Sequence, residues 1–143
     1  MATGDFDIFI NFKTGMHVDG GLDVEASLDV ARVIDGECRE SWSEAGARSF
    51  SIQGEAATAW VAELTESGEF VLPVFLEHPC DVELRYRADC PNWGDALELA
   101  RFVFRSLDSL EKYDMFMIHD DEQLVQMNFP HPDFQSLEEF VYW

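Results

Sequence analysis

Basic residues are scarce in this chain. Nine Lys and Arg, only two of them Lys (Lys13 and Lys112), stand against 29 Asp and Glu, giving a formal net charge of −20. So few cations disfavour direct binding of phosphate, whether nucleic acid or an anionic membrane. Cysteine is equally sparse, and Cys38, Cys80 and Cys90 are an odd number. No basic stretch followed by an apolar segment opens the chain, and no run approaches the roughly 20 apolar residues of a membrane span. The asparagines in Asn11-Phe-Lys, Asn92-Trp-Gly and Asn128-Phe-Pro are not glycosylation acceptors. These absences together predict a reducing, cytoplasmic setting with free thiols.

What is present is a folding composition. The chain has 143 residues, 47% apolar and 13% aromatic, with 12 Phe and 4 Trp. Disorder needs far less apolar content. The length fits a single domain over 1–143. The acidity is evenly spread: residues 1–72 hold 14 acids and 4 bases, and residues 73–143 hold 15 and 5, so each half carries −10. There is no acidic tail. The charge belongs to the folded body, where it repels itself, and a partner or a salty environment is needed to offset that cost.

Along the chain, Phe6, Ile8, Ile10 and Phe12 alternate within a β-rich segment and predict a strand. Leu22-Asp-Val-Glu-Ala-Ser-Leu-Asp-Val30 alternates for nine residues. That pattern predicts a half-buried strand with Asp23, Glu25 and Asp29 pointing outward. Asp35-Gly36 is a tight-turn signal, which suggests a hairpin of 30–34 with 37–42. Residues 49–53 read as a short strand. Ala57, Trp60, Val61 and Leu64 at helical spacing predict a helix over about 55–66, ending before Gly68. Phe70–Glu77 reads as an edge or bulged strand because of Pro73. Asp81–Ala88 alternates again. The clearest helix runs from about 95 to 112, with Asp95 as cap, Glu98 three residues on, and a stripe of Leu97, Ala100, Val103, Phe104, Leu107 and Leu110. Segments 115–119 and 123–127 flank Asp120-Asp121-Glu122 as a hairpin. A short helix starts near Asp133 or Ser136 and includes Leu137 and Phe140. The expected fold is α+β: a mostly antiparallel sheet of six to eight short strands with two or three helices packed on one face.

No catalytic motif stands out. His78, His119 and His131 with Cys80 and Cys90 lack the close paired spacing of a structural zinc site, so no metal or cofactor is expected. His119-Asp120-Asp121-Glu122 is dense in ligand types, yet Asp is favoured in turns for its own backbone hydrogen bonds. A His-Asp pair also occurs in a helical phosphohydrolase family, but this segment reads as a strand end and the family's other motifs are missing. There is no Gly-x-Ser-x-Gly elbow, no Ser-x-x-Lys and no phosphate-cradling glycine loop. Cys–His and paired-carboxylate arrangements form only in space and are not legible here. Arg85 with Arg87, and Arg101 with Arg105, share faces. They suggest either a small anion site or pairing with the chain's own carboxylates, such as Arg101 with Glu98 or Asp108.

The remaining signal is acidic. Alternate strand residues lie about 6.6–6.8 Å apart, so an outward row of Asp23, Glu25 and Asp29 is spaced on the scale of backbone phosphates. Solubility needs a net charge of only ~2–8 in magnitude. Asp23, Glu25 and Asp29, together with Asp120, Asp121 and Glu122, are therefore the expected partner-binding residues. The expected partner is a basic protein, such as a nucleic-acid-binding complex or a nuclease, whose site the chain blocks without chemistry as a nucleic acid mimic. In general character such a decoy resembles phage anti-defence proteins and nuclease-toxin immunity proteins, and no motif assigns a family. The alternative is a small cytosolic enzyme or ligand-binding domain. A third reading, adaptation to high salt, fits the Lys-poor bases but not the 12 Phe.

Overall fold

The computed structural model describes residues 5–16, 20–44, 46–63, 73–86, 93–119, 123–136 and 138–139. In chain order the elements are β1 (Asp5–Phe12), α1 (Leu22–Val33), β2 (Glu37–Trp42), β3 (Arg48–Gln53), β4 (Ala57–Glu63), α2 (Pro73–Glu77), β5 (Cys80–Tyr86), α3 (Trp93–Asp108), β6 (Tyr113–His119), β7 (Gln123–Met127), a 3-10 helix (Pro132–Ser136) and β8 (Glu138–Glu139). The strands form one sheet in the order β2-β3-β4-β5-β1-β6-β7-β8. Every pairing is antiparallel except the short β7–β8 ladder. The fold is α+β, as expected.

β1 lies in the middle, hydrogen-bonded to β5 and β6. A central strand covered on both sides needs apolar residues at both parities, and Phe6, Ile8, Phe9 and Ile10 are all buried. Phe6, Ile8 and Ile10 join the larger core with Ala59, Val61, Val82, Leu84, Met115 and Met117. Two helices close that core. α1 contributes Leu22, Ala26 and Val30, and α3 contributes Ala96, Leu97, Ala100, Val103, Phe104 and Leu107. Phe9 belongs to a second cluster on the other face, with Val74 and Phe75 of α2, Phe116, Ile118, Leu124 and Phe134.

Four local expectations are corrected. Leu22–Val33 is a helix, not a strand. Its buried set is Leu22, Asp23, Ala26, Ser27, Asp29 and Val30, whereas Leu28 is exposed. Polar residues occupy inward helical positions, so the hydropathy alternates at period two while the burial follows the helix. The segment 37–42 pairs with β3, not with 30–34. Asp35-Gly36 instead ends α1: Asp35 takes φ 51°, and a Cβ on Gly36 would stand 2.7 Å from Cγ2 of Ile52, so only glycine fits. Residues 57–63 are strand β4, not a helix. Its inward residues are Ala57, Ala59 and Val61, and two alanines give a weak strand signal. The segment ending at Glu77 contains the helix α2 rather than an edge strand. Near the C-terminus, where a short helix was expected from Asp133 or Ser136, a 3-10 helix spans Pro132–Ser136. Leu137 and Phe140 lie outside the described residues.

Candidate functional site

The row expected on the outside is instead the polar side of α1, and its carboxylates point into the protein. Arg48 donates from Nε to Oδ2 of Asp23 at 2.9 Å and from Nη2 to Oδ1 at 2.8 Å, a two-pronged charge-assisted contact. The guanidinium also stands 5.8 Å from the ring centroid of Trp42 and 5.5 Å from that of Phe50. The hydrogen bond to Asp23 raises the pKa of Arg48, fixing its charge. Asp29 is only 1% exposed. It accepts from the Tyr113 hydroxyl at 2.5 Å and is paired with Lys112 Nζ at 2.6 Å. Arg32 Nη1 stands 3.5 Å away on its other side. Lys112 also donates to Glu25 at 3.1 Å. The three carboxylates are thus engaged by Arg48, Lys112, Tyr113 and Arg32, in a network joining α1 to β3 and to the start of β6. The other predicted trio, Asp120, Asp121 and Glu122, lies outside the described residues. The strands that flank it, β6 and β7, pair as expected, with a register shift between Met117 and Ile118.

This network gives the protein an alkaline limit. Burial and the Asp29 hydrogen bond push the Tyr113 hydroxyl well above its usual range. Burial works against the charge of Lys112, but its bonds to Asp29 and Glu25 raise its pKa overall. Burial also drives the Cys80 thiol well up. A group whose folded pKa is raised stabilises fully below its unfolded pKa and loses that stabilisation as pH rises through the folded value. The unfolded values are about 8.5 for Cys, 10 for Tyr and 10.4 for Lys. Urea midpoints are therefore expected to hold through neutral pH and fall from about pH 9 upward. Tyr113→Phe, which removes one titrating group, should lessen that fall. A midpoint flat to pH 11 would refute the arrangement.

His78 and His131 are engaged by partners other than Cys80. On the face opposite α1, His78 Nδ1 donates to the Val74 carbonyl at 2.9 Å and the ring stacks on Phe129, with centroids 4.5 Å apart. Burial pushes the His78 pKa down, keeping the ring neutral. His131 Nδ1 accepts from the Asp133 backbone N–H at 3.1 Å. The neutral ring therefore carries its proton on Nε2, which donates to the Glu77 carboxylate at 3.2 Å. Asp133 Oδ2 in turn accepts from the Val74 N–H at 3.0 Å, at the start of α2. These contacts tie α2 to the segment around the 3-10 helix. Cys80 packs in the other core, and Cys38 and Cys80 are free thiols. Cys90 lies outside the described residues. Among the described residues no three His, Cys, Asp or Glu side chains come together as a metal site, and no helix is long and apolar enough to cross a membrane.

The arginine faces resolve in part. Arg85 pairs with Asp5 at 2.9 Å and Glu83 at 3.6 Å, and stands 5.3 Å from the Trp60 ring centroid. Arg87 lies outside the described residues. Further pairs join Lys13 to Asp114 and Arg39 to Glu37. At least six of the nine cations (Lys13, Arg32, Arg39, Arg48, Arg85 and Lys112) are thus ion-paired within the chain.

One surface went unread in the sequence. β2 ends the sheet order, and Glu37, Arg39, Glu40, Ser41 and Trp42 are all exposed. Trp42 is 62% exposed, and its indole N–H donates to Glu40 at 2.6 Å. The legible signal was a Trp among polar residues, Glu40-Ser41-Trp42, which a core strand rarely carries. Comparison of the chain with protein-family models, with curated proteins and with solved structures finds no match to any of them.

Proposed function

We propose that this protein is a non-enzymatic acidic inhibitor, of immunity or anti-defence type, that binds a basic nucleic-acid-handling protein and blocks its site. One observation carries the reading: at least six of the nine cations are paired with the chain's own carboxylates. The net charge of −20 is the excess of carboxylates that such pairing leaves over. Its field speeds encounter with a positively charged partner and repels nucleic acid itself. The docking residues belong to the exposed acids, not to Asp23 and Asp29, which hold the fold.

The test is competition. A basic protein captured from the source cell at low salt is purified, and its association with this chain is timed with and without nucleic acid. The association rate is expected to fall by about tenfold or more between low and high salt, and nucleic acid and this chain should exclude each other. A ternary complex, or a rate indifferent to salt, would remove the physical basis of the reading.

A further inference from the structure

The ladder between β2 and β3 fixes which backbone groups of β2 face away from the sheet. Ser43 N–H donates to the Ala47 carbonyl at 2.9 Å, closing the β2–β3 turn. The same register continues as Ser41 opposite Ser49, Arg39 opposite Ser51 and Glu37 opposite Gln53. In an antiparallel ladder alternate residues turn their N–H and C=O to the same neighbour. Residues 43, 41, 39 and 37 therefore point at β3, and Cys38, Glu40 and Trp42 turn theirs outward. Among the described residues no strand pairs with that edge. The side chains of these same three residues share one face of the sheet, where Glu40 and the open Trp42 flank Arg48.

We propose that this edge is the docking edge: an extended segment of the basic partner adds to β2 as a further strand. It pairs with the N–H and C=O groups of Cys38, Glu40 and Trp42, and sets a Lys or Arg against the Glu40 carboxylate and the Trp42 ring. Main-chain pairing supplies affinity in such an arrangement, and alternate side chains supply selectivity. An indole face beside a carboxylate suits a cationic side chain through cation–π and ionic attraction together. Charge also decides the occupant. A second copy of the chain brings a further −20. The two-fold register that pairs all three outward residues would set Glu40 directly against Glu40, a destabilising like-charge pair. The inference rests on the acidic-binder reading and adds to it a place and a mode.

The experiment reads residue-resolved amide exchange with an octapeptide of alternating Lys and Val as the probe. In the free protein the Cys38, Glu40 and Trp42 amides should exchange fast, and Arg39 and Ser41 slowly. Saturating peptide should slow the first three by about tenfold or more, in line with about 1.4 kcal/mol per tenfold, while leaving the others as they were. Glu40→Gln should weaken the peptide, and Glu40→Pro should weaken it further by removing an outward N–H that β3 does not use. Glu98→Lys, an exposed site on α3, should have much less effect than Glu40→Lys. Peptide binding that protects amides elsewhere, or equal affinities for the Gln and Pro variants, overturns the docking edge and leaves the acidic-binder reading standing. Protection of the same amides that grows with protein concentration alone assigns the edge to a second copy and overturns the partner strand. Failure of both this peptide and polyarginine to bind at low salt overturns the acidic-binder reading and the edge with it.

Discussion

Asp29→Ala is expected to destabilise the protein by about 3–5 kcal/mol, the cost of leaving a buried ionic partner uncompensated. Asp29 is the point at which Tyr113, Lys112 and Arg32 converge. Removing it strands a buried hydroxyl and leaves the ammonium with Glu25 and the Tyr113 ring. Lys112 keeps some contact with water, which favours the lower end of the range. The pair itself is not the source of great stability, since desolvating two charges offsets much of their attraction. A double replacement, Asp29→Leu with Lys112→Met, should therefore lie closer to the parent than Asp29→Ala does. Urea unfolding, read with its slope, measures both. An Asp29→Ala variant as stable as the parent would mean that the network does not form.

Phe116→Ala should cost a similar amount, about 3–5 kcal/mol, as large aromatic truncations in cores do. Its ring centroid stands 5.2 Å from Phe9, 5.4 Å from Phe75, 5.6 Å from His78 and 5.3 Å from Phe134. These partners come from β1, α2, the turn after it and the 3-10 helix, so one truncation opens a hole shared by four segments. α2 has only five residues, too few to hold as a helix alone, and it depends on that contact. Near-UV circular dichroism should lose aromatic signal along with the stability. Phe116→Leu, which keeps most of the volume, should cost far less. A loss under about 1 kcal/mol for the alanine variant would show that the second cluster is not a packed core.

Hydropathy revealed those elements whose inward positions are apolar. Phe6–Phe12, 49–53, 81–86 and the hairpin arms 115–119 and 123–127 were legible because Phe, Ile, Val, Leu and Met occupy their inward positions. α3 was legible because its stripe is wide, but the helix runs Trp93–Asp108 rather than about 95–112, so Asp95 lies inside it and Leu110 is exposed beyond its end. α1 was not, for a reason tied to the network: Asp23, Ser27 and Asp29 are buried, and Leu28 is exposed. A buried ion pair is invisible in one sequence, because its partner lies far away, as Arg48 does from Asp23 and Lys112 from Asp29. What remained readable was the Gly20-Gly21 entry, acids in the first turn and Arg32 in the last, all helix-end signals. β4 was hidden because Ala57 and Ala59 are good helix formers that here pack as strand residues. The same error moved the expected acidic surface. The charge total was legible, but which carboxylates are already answered by cations depends on the fold.

The place of β1 bears on how the chain reaches its native state. Phe6 of this strand lies opposite Leu84 on one side and His119 on the other. Both neighbours come late in the sequence, whereas β2, β3 and β4 form a local meander. Closing such long loops before any contact rewards them slows folding, and non-local sheets fold over milliseconds to seconds. During synthesis β1 emerges before β5 and β6, and has neither neighbour until they have left the ribosome. For that interval an apolar strand with both edges open is exposed to wrong pairing. The dense negative charge of the growing chain then acts as a brake, keeping two such nascent chains from meeting.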